Sequence, residues 1–164
     1  MDEVVARAGV AKATLYHHFP SKDDLVVAFL QEREDRWTFG WVVAEAERRA
    51  DDPEGQLLAI FDLFDEWFRR DDYEGCSFLN VLVELGRDHP AGRASVGHMA
   101  TIKGLLSALA EGAGLRDPDA FAESCHLIMK GAVVQASEGD VDAARRARVL
   151  ARLLIHHHRE ESPI

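Results

Sequence analysis

Four polar side chains near the start of the chain are suited to hydrogen bonding with DNA. They are Thr14, Tyr16, His17 and His18. Hydroxyl and imidazole groups bind base edges in the major groove and the phosphate oxygens beside it. Leu15 lies among them, and this spacing predicts a short helix with one apolar and one polar side. The polar side could read a DNA sequence.

The residues before this stretch predict a second helix that would support it. Val4, Val5 and Ala8 share one helix face. Gly9 follows directly and can adopt the left-handed conformation that ends a helix. Val10 is apolar and would fill the turn.

The short polar helix has a predicted inner face and a predicted end. Leu15 and Phe19 are four residues apart and face inward, and Pro20 stops the helix. Ser21, with Asp24 three residues later, is close to a capping box and starts the next helix. Two helices joined by a short turn that contains glycine form the helix-turn-helix pattern, whose second helix enters a major groove.

The segment VVARAGVAKATLYHHFPSKDDL resembles the TetR family of bacterial transcriptional repressors. The shared pattern is an Ala-Gly-Val turn, then Thr-Leu-Tyr, a His pair, Phe, and Lys after a short loop. The resemblance implies a recognition helix that contains Lys12, Ala13, Thr14, Tyr16, His17 and His18. It also implies that Lys22 binds a phosphate at the start of the next helix. The alternative is an ordinary helical hairpin in which Tyr16 and His18 are packing residues.

The family has one more helix before this segment, and it closes the core of the DNA-binding domain. Met1 falls where members often have an internal residue, so we expect this first helix to be missing, through a start codon assigned too late, a cut chain or a natural truncation. Val4, Val5, Leu15 and Leu25 would then lose cover. Burial of each such side chain contributes roughly 1.5–3 kcal/mol, so we expect a loosened DNA-binding end.

The formal net charge of −10 argues at first against a nucleic-acid partner. Residues 1–22 nevertheless carry +1 and leave −11 on the remainder, so a local basic face is available. The sequence has no signal peptide and no apolar run of about twenty residues. We therefore expect a soluble, cytoplasmic protein with no membrane contact and with reduced thiols. Cys76 is either a redox switch or a small buried hydrophobe.

The rest of the sequence predicts helices and no strand, so the expected fold is all-α. A long helix runs from Ser21 to about Arg49, and Asp52-Pro53 and Asp117-Pro118 each cap a later helix. The helix after Asp52 is apolar around more than half its circumference and should be central. We divide the chain into a partial helix-turn-helix DNA-binding domain at 1–36, which lacks its first helix, and a helical-bundle ligand-binding and dimerisation domain at 37–164.

The last two helices carry wide apolar faces with small residues, which permit close helix packing. The resemblance implies that these helices pair with a second copy in a homodimer of C2 symmetry. A dimer also fits two DNA half-sites about one helical turn apart. The predicted interface contains Phe121, Cys125, Ile128, Met129, Ala132, Leu150 and Leu154. The alternative is that these faces only complete the core of one subunit.

No constellation of catalytic residues is evident. His98 and His126 have no carboxylate at a relay spacing, and no Gly-rich phosphate loop is present, so we expect no enzyme activity, no catalytic residue and no cofactor. His156–His158 could bind a metal, be a tag remnant, or form a frayed polar end; we assign no metal site. Asn80 and Glu84 could orient a ligand in an apolar pocket, or reach solvent. The predicted ligand-binding residues are Phe64, Trp67, Phe78, Asn80, Glu84 and His126.

These features predict a ligand-responsive transcriptional regulator. We expect a repressor whose dimer leaves double-stranded operator DNA when an unknown small-molecule effector binds between the helices from about 53 to 137. The alternative is a dimeric small-molecule-binding module whose DNA binding has been lost through truncation.

Overall fold

The computed structural model describes residues 1–159 and is all-α over that range, as predicted. Its helices are α1 (Asp2–Ala8), α2 (Lys12–His18), α3 (Lys22–Arg33), α4 (Ala44–Arg49), α5 (Pro53–Phe68), α6 (Ser77–Leu85), α7 (Pro90–Gly112), α8 (Pro118–Ser137) and α9 (Ala143–Arg159). The end of the predicted second domain, residues 160–164, lies outside the described residues.

Local capping signals start the helices where the sequence predicts. Ser21 Oγ accepts a hydrogen bond from the Asp24 amide at 3.1 Å, and Asp24 Oδ2 accepts one from the Ser21 amide at 3.0 Å. Asp52 Oδ1 accepts from the Gly55 amide at 2.8 Å, directly before a proline in the first turn of α5. Asp117 caps α8 in the same manner. These bonds satisfy amides that the helix itself leaves free.

The long helix after Ser21 contains a feature that the sequence did not predict. Between α3 and α4, residues Glu34–Val43 form a π-helical segment with i→i+5 hydrogen bonds, which we call the wide segment. The backbone is right-handed helical at both junctions, so α3, the wide segment and α4 are one continuous helix. Such segments are rare and occur mostly as single turns, frequently at functional sites. The helix also crosses the proposed domain boundary at 36/37 without a break.

Helix α5 is central, as predicted, because it packs against α4, α7, α8 and α9. Phe61, Leu57 and Leu63 from α5 meet Leu106 of α7 and Phe121 of α8, and all five are almost fully buried. The polar side chains Asp62 and Asp65 lie on the outer side of α5 and pair with arginines of α9. This core holds the walls of the cavities described below.

The helix-turn-helix segment is less well packed than the bundle. Leu15 is buried and Phe19 is half-buried, as their spacing predicts, but α1 contributes no buried residue. Val4 is exposed, and Gly9 ends α1 with a φ of 65°. The turn therefore has its expected geometry, while Val4 buries little surface and Val5 is half-buried.

Candidate DNA-reading face and ligand cavity

The predicted recognition residues form an exposed surface on α2. Leu15 turns inward, whereas the other side chains remain open to solvent; these are Lys12, Ala13, Thr14, Tyr16, His17 and His18. His17 and His18 sit at the C-terminal end of α2, with ring centroids 5.4 Å apart. The surface thus offers hydroxyl, imidazole and ammonium groups together, and a contact with DNA stays a prediction.

Lys12 is held by a carboxylate of the preceding helix. Its Nζ donates a hydrogen bond to Asp2 Oδ1 at 2.8 Å, which joins the start of α2 to the start of α1. The hydrogen bond from Lys12 lowers the pKa of the Asp2 carboxyl. A base or phosphate that binds Lys12 must compete with Asp2, so Lys12 is less available than its exposure alone suggests.

Lys22 occupies the first position of α3, next to the capping box of Ser21 and Asp24. Its side chain is exposed. A helix N-terminus attracts phosphate through its free amides and its dipole, and a lysine there adds a full positive charge. The position therefore suits the phosphate contact expected of Lys22, although Asp23 and Asp24 in the same turn oppose it.

A largely apolar cavity lies between the wide segment and helices α5, α6, α7 and α8. Its volume is about 570 Å³ when space open to solvent is included. The lining residues are Trp37, Thr38, Val42, Phe64, Trp67, Cys76, Leu79, His98, Met99, Ile102, His126, Met129, Lys130 and Val133. This first cavity contains Phe64, Trp67 and His126, three of the six residues predicted to bind a ligand.

A second cavity of about 740 Å³ continues along the same helix. It shares Thr38, Val42, Ile102 and Met129 with the first cavity and extends to Glu47 of α4. Because four residues line both spaces, the two cavities are neighbours.

The aromatic wall of the first cavity is built from two elements. Trp37 of the wide segment lies 4.7 Å from Trp67 of α5 between ring centroids, and 6.1 Å from Phe64. Tyr73 packs on Trp67 at 5.0 Å, and its hydroxyl donates to the Val133 carbonyl at 2.9 Å. These contacts fix the wide segment against α5, so movement of the segment would rearrange the wall.

Few polar groups face the first cavity, and they differ in whether they have a hydrogen-bond partner. Thr38 is buried, and its hydroxyl has no hydrogen-bond partner. His98 Nδ1 lies 3.1 Å from Glu34 Oε1, and burial lowers the pKa of His98 although Glu34 opposes the effect. Burial, followed by the charges of Lys130 and Lys103, lowers the pKa of His126 to about 4. His126 is therefore neutral at pH 7.

Three predicted ligand-binding residues do not line this cavity. Asn80 is exposed and donates to the Glu74 carbonyl at 3.2 Å, and Glu84 is exposed on α6. Both side chains reach solvent, which is the alternative interpretation weighed from the sequence. Phe78 is buried in a smaller cluster with Leu30 and stacks on His98 with centroids 3.5 Å apart. Phe78 therefore packs against His98, which lines the cavity, without lining the cavity itself.

Sequence reasoning missed several lining residues, chiefly Trp37, Thr38, His98 and Lys130. In the sequence, His98 has no carboxylate at a relay spacing. The i,i+4 spacing of His126 and Lys130 on one helix was the available signal for that pair. No local signal could have paired His98 with Glu34, because they are 64 residues apart.

The structure corrects the predicted dimer interface. Phe121, Cys125, Met129 and Ala132 are buried inside one subunit, because α8 turns that face toward the core. Ile128 and Leu154 are half-buried against the same core, and only Leu150 of the predicted set is exposed. A different apolar face remains open on α8 and α9, and it consists of Leu127, Val134, Val149, Leu150 and Leu153.

Both cysteine thiols are shielded by burial. Burial raises the pKa of Cys125 to about 12 and also raises the pKa of Cys76. Cys76 is partly buried in the cavity wall, as its interpretation as a small hydrophobe expects. His158 is not frayed, because its Nδ1 donates to the Arg116 carbonyl at 2.6 Å. No helix within residues 1–159 has the length and apolar character needed to span a bilayer.

Comparison with known proteins places this arrangement in a wider context. Residues 1–29 match the profile of the bacterial regulatory proteins of the tetR family. The chain is 39% identical over 71 residues to the HTH-type transcriptional activator FasR of Mycolicibacterium smegmatis. That match covers 43% of this chain and 32% of the relative, so the chain matches about a third of the relative's length.

Solved structures match over nearly the whole chain. A TetR-family transcriptional regulator from Streptomyces coelicolor has a TM-score of 0.87 and 27% identity, covering 97% of this chain and 84% of that one. A TetR transcriptional regulator from Streptomyces avermitilis has a TM-score of 0.83 and 28% identity, with 98% and 87% covered. A TetR transcriptional regulator from Legionella pneumophila, at 17% identity and a TM-score of 0.75, shares the fold. All three proteins are named as transcriptional regulators.

Proposed function

We propose that this TetR-like transcriptional regulator binds operator DNA as a homodimer and responds to a small molecule held in the cavity beside its wide segment. The observation that carries the proposal is the continuous helix from Lys22 to Arg49. One end of this helix follows the recognition surface directly, and its middle forms a wall of the cavity. A ligand that moves the wall therefore acts on the element that positions α2.

The DNA-reading part of the proposal rests on α2 and the start of α3. Exposed Thr14, His17 and His18 would contact base edges, while Lys22 would bind a phosphate. Phosphate contacts fix register and base contacts give specificity, so the two groups should behave differently on mutation. Lys12 contributes once its bond to Asp2 is exchanged for a DNA contact.

The dimer part of the proposal rests on the open apolar face of α8 and α9. Leu127 and Leu153 are 72% and 61% exposed, and exposed apolar patches of this kind commonly mark interfaces. Gly131 lies in the same row of α8, and a Cβ there would meet no atom of the subunit, so another backbone can approach closely. An interface built from the same face of each subunit has C2 symmetry.

The direction of regulation follows from where the operator lies. We propose repression, because a dimer bound over a promoter blocks it by occupancy and a ligand that favours another state releases it. Activation is the second candidate, and the observation that favours it is the identity to a relative named as an activator. A promoter fused to a reporter, with and without the gene for this chain, separates the two outcomes.

The decisive experiment is selection of duplex DNA from a random library by the purified chain, followed by gel shift of the enriched duplex. Lys22→Ala should weaken binding to every sequence and reduce the salt slope by about one. His17→Ala should alter sequence preference, and Lys103→Ala on α7 is the matched control. If no duplex is enriched, DNA binding is disproved for this chain.

That negative result would favour a dimeric small-molecule-binding module, the second class of function. The observation that favours this module is that α1 contributes no buried residue. A loosely packed α1 would leave α2 without a firm support. Dimerisation and cavity binding would then persist in the absence of any DNA shift.

A further inference from the structure

We infer that the cavity takes an organic anion, a carboxylate with an apolar body, and that Lys130, His126 and Thr38 hold its head group. This inference deepens the proposed function, because it names the class of ligand for the cavity on which ligand response rests. Three independent observations carry it: the charge on the wall, the unpaired polar groups, and the composition of the remaining surface.

The charge on the wall is positive. Among the residues that line the first cavity, Lys130 is the single one with a full charge at pH 7, and no aspartate or glutamate lines it. Lys103 lies close by, but its Nζ is bound to Glu123 Oε1 at 2.7 Å. Within residues 1–159 Lys130 makes no ion pair, so its charge is left for a ligand.

Two unpaired polar groups line the same cavity as Lys130 and can complete an oxyanion site. Thr38 has a buried hydroxyl with no partner, and leaving a buried donor unsatisfied is unfavourable. His126 is 7% exposed and makes no hydrogen bond within the described range, and as a neutral imidazole it offers one N–H donor. A carboxylate could accept bonds from all three groups.

The one carboxylate nearby does not compete for the same place. Glu34 is bound to Nδ1 of His98 and lies outside the lining of the first cavity. His98 therefore receives its negative partner from the protein, whereas Lys130 does not. Because Lys130 has no carboxylate partner, an incoming anion should bind at the part of the cavity that α8 lines.

The remaining surface defines the rest of the ligand. Trp37, Phe64, Trp67, Ile102 and Met129 offer no charge, and the neighbouring second cavity is also largely apolar. Ligand sites combine such surfaces with few, well-placed polar groups. A phosphate dianion would need more donors than one ammonium, one imidazole and one hydroxyl supply. A monocarboxylate with an aliphatic or aromatic body matches the donors and the walls.

The test is isothermal titration calorimetry of the whole chain at pH 7.5, without DNA, with two matched pairs of probes. The aliphatic pair is decanoate and 1-decanol, and the aromatic pair is 1-naphthylacetate and 2-(1-naphthyl)ethanol. A bond to a charged group contributes about 1.5–3 kcal/mol, so at least one acid should bind roughly 10- to 100-fold tighter than its alcohol. The acid that binds more tightly shows whether the apolar part of the ligand is aliphatic or aromatic.

Two variants locate the head group. Lys130→Met keeps the length of the side chain and should bring the favoured acid down to the affinity of its alcohol. Lys103→Met is the matched control, since Lys103 is already paired with Glu123, and it should leave the preference for the acid intact. Continued binding of the alcohol by Lys130→Met shows that the cavity is still folded.

The inference is overturned if both alcohols bind as tightly as their acids, if neither acid binds at millimolar concentration, or if the two lysine variants lose acid affinity equally. The readout does not involve DNA. Failure of the anion site would therefore leave the gel-shift result standing, and failure of DNA binding would leave the calorimetry standing. Thr38→Val, which removes the hydroxyl and keeps the shape, should weaken the favoured acid several-fold.

Discussion

His98 Nδ1 and Glu34 Oε1 are 3.1 Å apart, and this contact ties α7 to the point where α3 passes into the wide segment. His98 also lines the first cavity and stacks on Phe78. One imidazole thus touches the cavity, the support behind it, and the helix that leads to α2. In the proposed mechanism, this side chain connects the cavity to the helix that leads to α2.

Removing the carboxylate should weaken this connection. Glu34→Ala leaves the buried His98 Nδ1 without its partner, and we expect a loss of about 1–2 kcal/mol in the free energy of unfolding by urea. Glu32→Ala is the control, because Glu32 pairs only with exposed Arg36 and should change stability by less than about 0.5 kcal/mol. Equal losses in both variants would contradict the role of the contact.

Stability should fall in mild acid because of His126. Its pKa is about 4 in the fold, below the ordinary value of 6.5, so the unfolded chain takes up a proton first as pH falls. The free energy of unfolding is unaffected by this group well above pH 6.5, and it falls as the pH is lowered from 6.5 toward 4. Between pH 7.5 and 5.0 we expect a loss of about 2 kcal/mol from this group. In urea titrations, His126→Gln should show a shallower dependence on pH than the native chain.

The open apolar face should be required for dimerisation. Leu127→Glu or Leu153→Glu places a charge in the proposed interface, and we expect monomers by light scattering at micromolar concentration. Val83→Glu on α6 is the control, because Val83 is 82% exposed and lies outside this face. Dimers that persist in both leucine variants would assign the interface elsewhere.

The first turn of α7 packs against the turn after α6 and should not accept a side chain at Gly92. A Cβ on Gly92 would lie 1.9 Å from the Gly86 carbonyl oxygen, so the backbone must move. We expect Gly92→Ala to lower the melting temperature by an amount equivalent to about 1–3 kcal/mol. Gly97→Ala in the same helix meets no atom within 4 Å, and it should stabilise by roughly 0.5–1 kcal/mol.

Both thiols should be slow to react. Burial raises the pKa of Cys76 and Cys125, and the thiolate is the reactive form. At pH 7.5 we expect little modification by a water-soluble disulfide reagent in the native chain and full modification in urea. Rapid labelling of Cys76 in the native chain would revive its interpretation as a redox switch.

The extent of correct prediction depends on how far apart the interacting residues are. The capping box of Ser21 and Asp24 is local, and three residues of sequence were enough to place it. The contact between Glu34 and His98 spans 64 residues, and only the packed bundle creates it. Periodicity also identified the apolar residues of α8 correctly. It could not choose between Cys125 in the core and Leu127 at the surface, because both sides of that helix are apolar.

The aromatic wall also determines what tryptophan fluorescence can report. The chain has three tryptophans, and all belong to one contact group, with Trp37 4.7 Å from Trp67 and 5.8 Å from Trp41. The helix-turn-helix has none, so indole emission comes entirely from around the cavity. A fluorophore attached near α2 would report separately on the recognition surface. Tryptophan fluorescence can therefore follow changes at the cavity, while an attached fluorophore of another wavelength follows changes at α2.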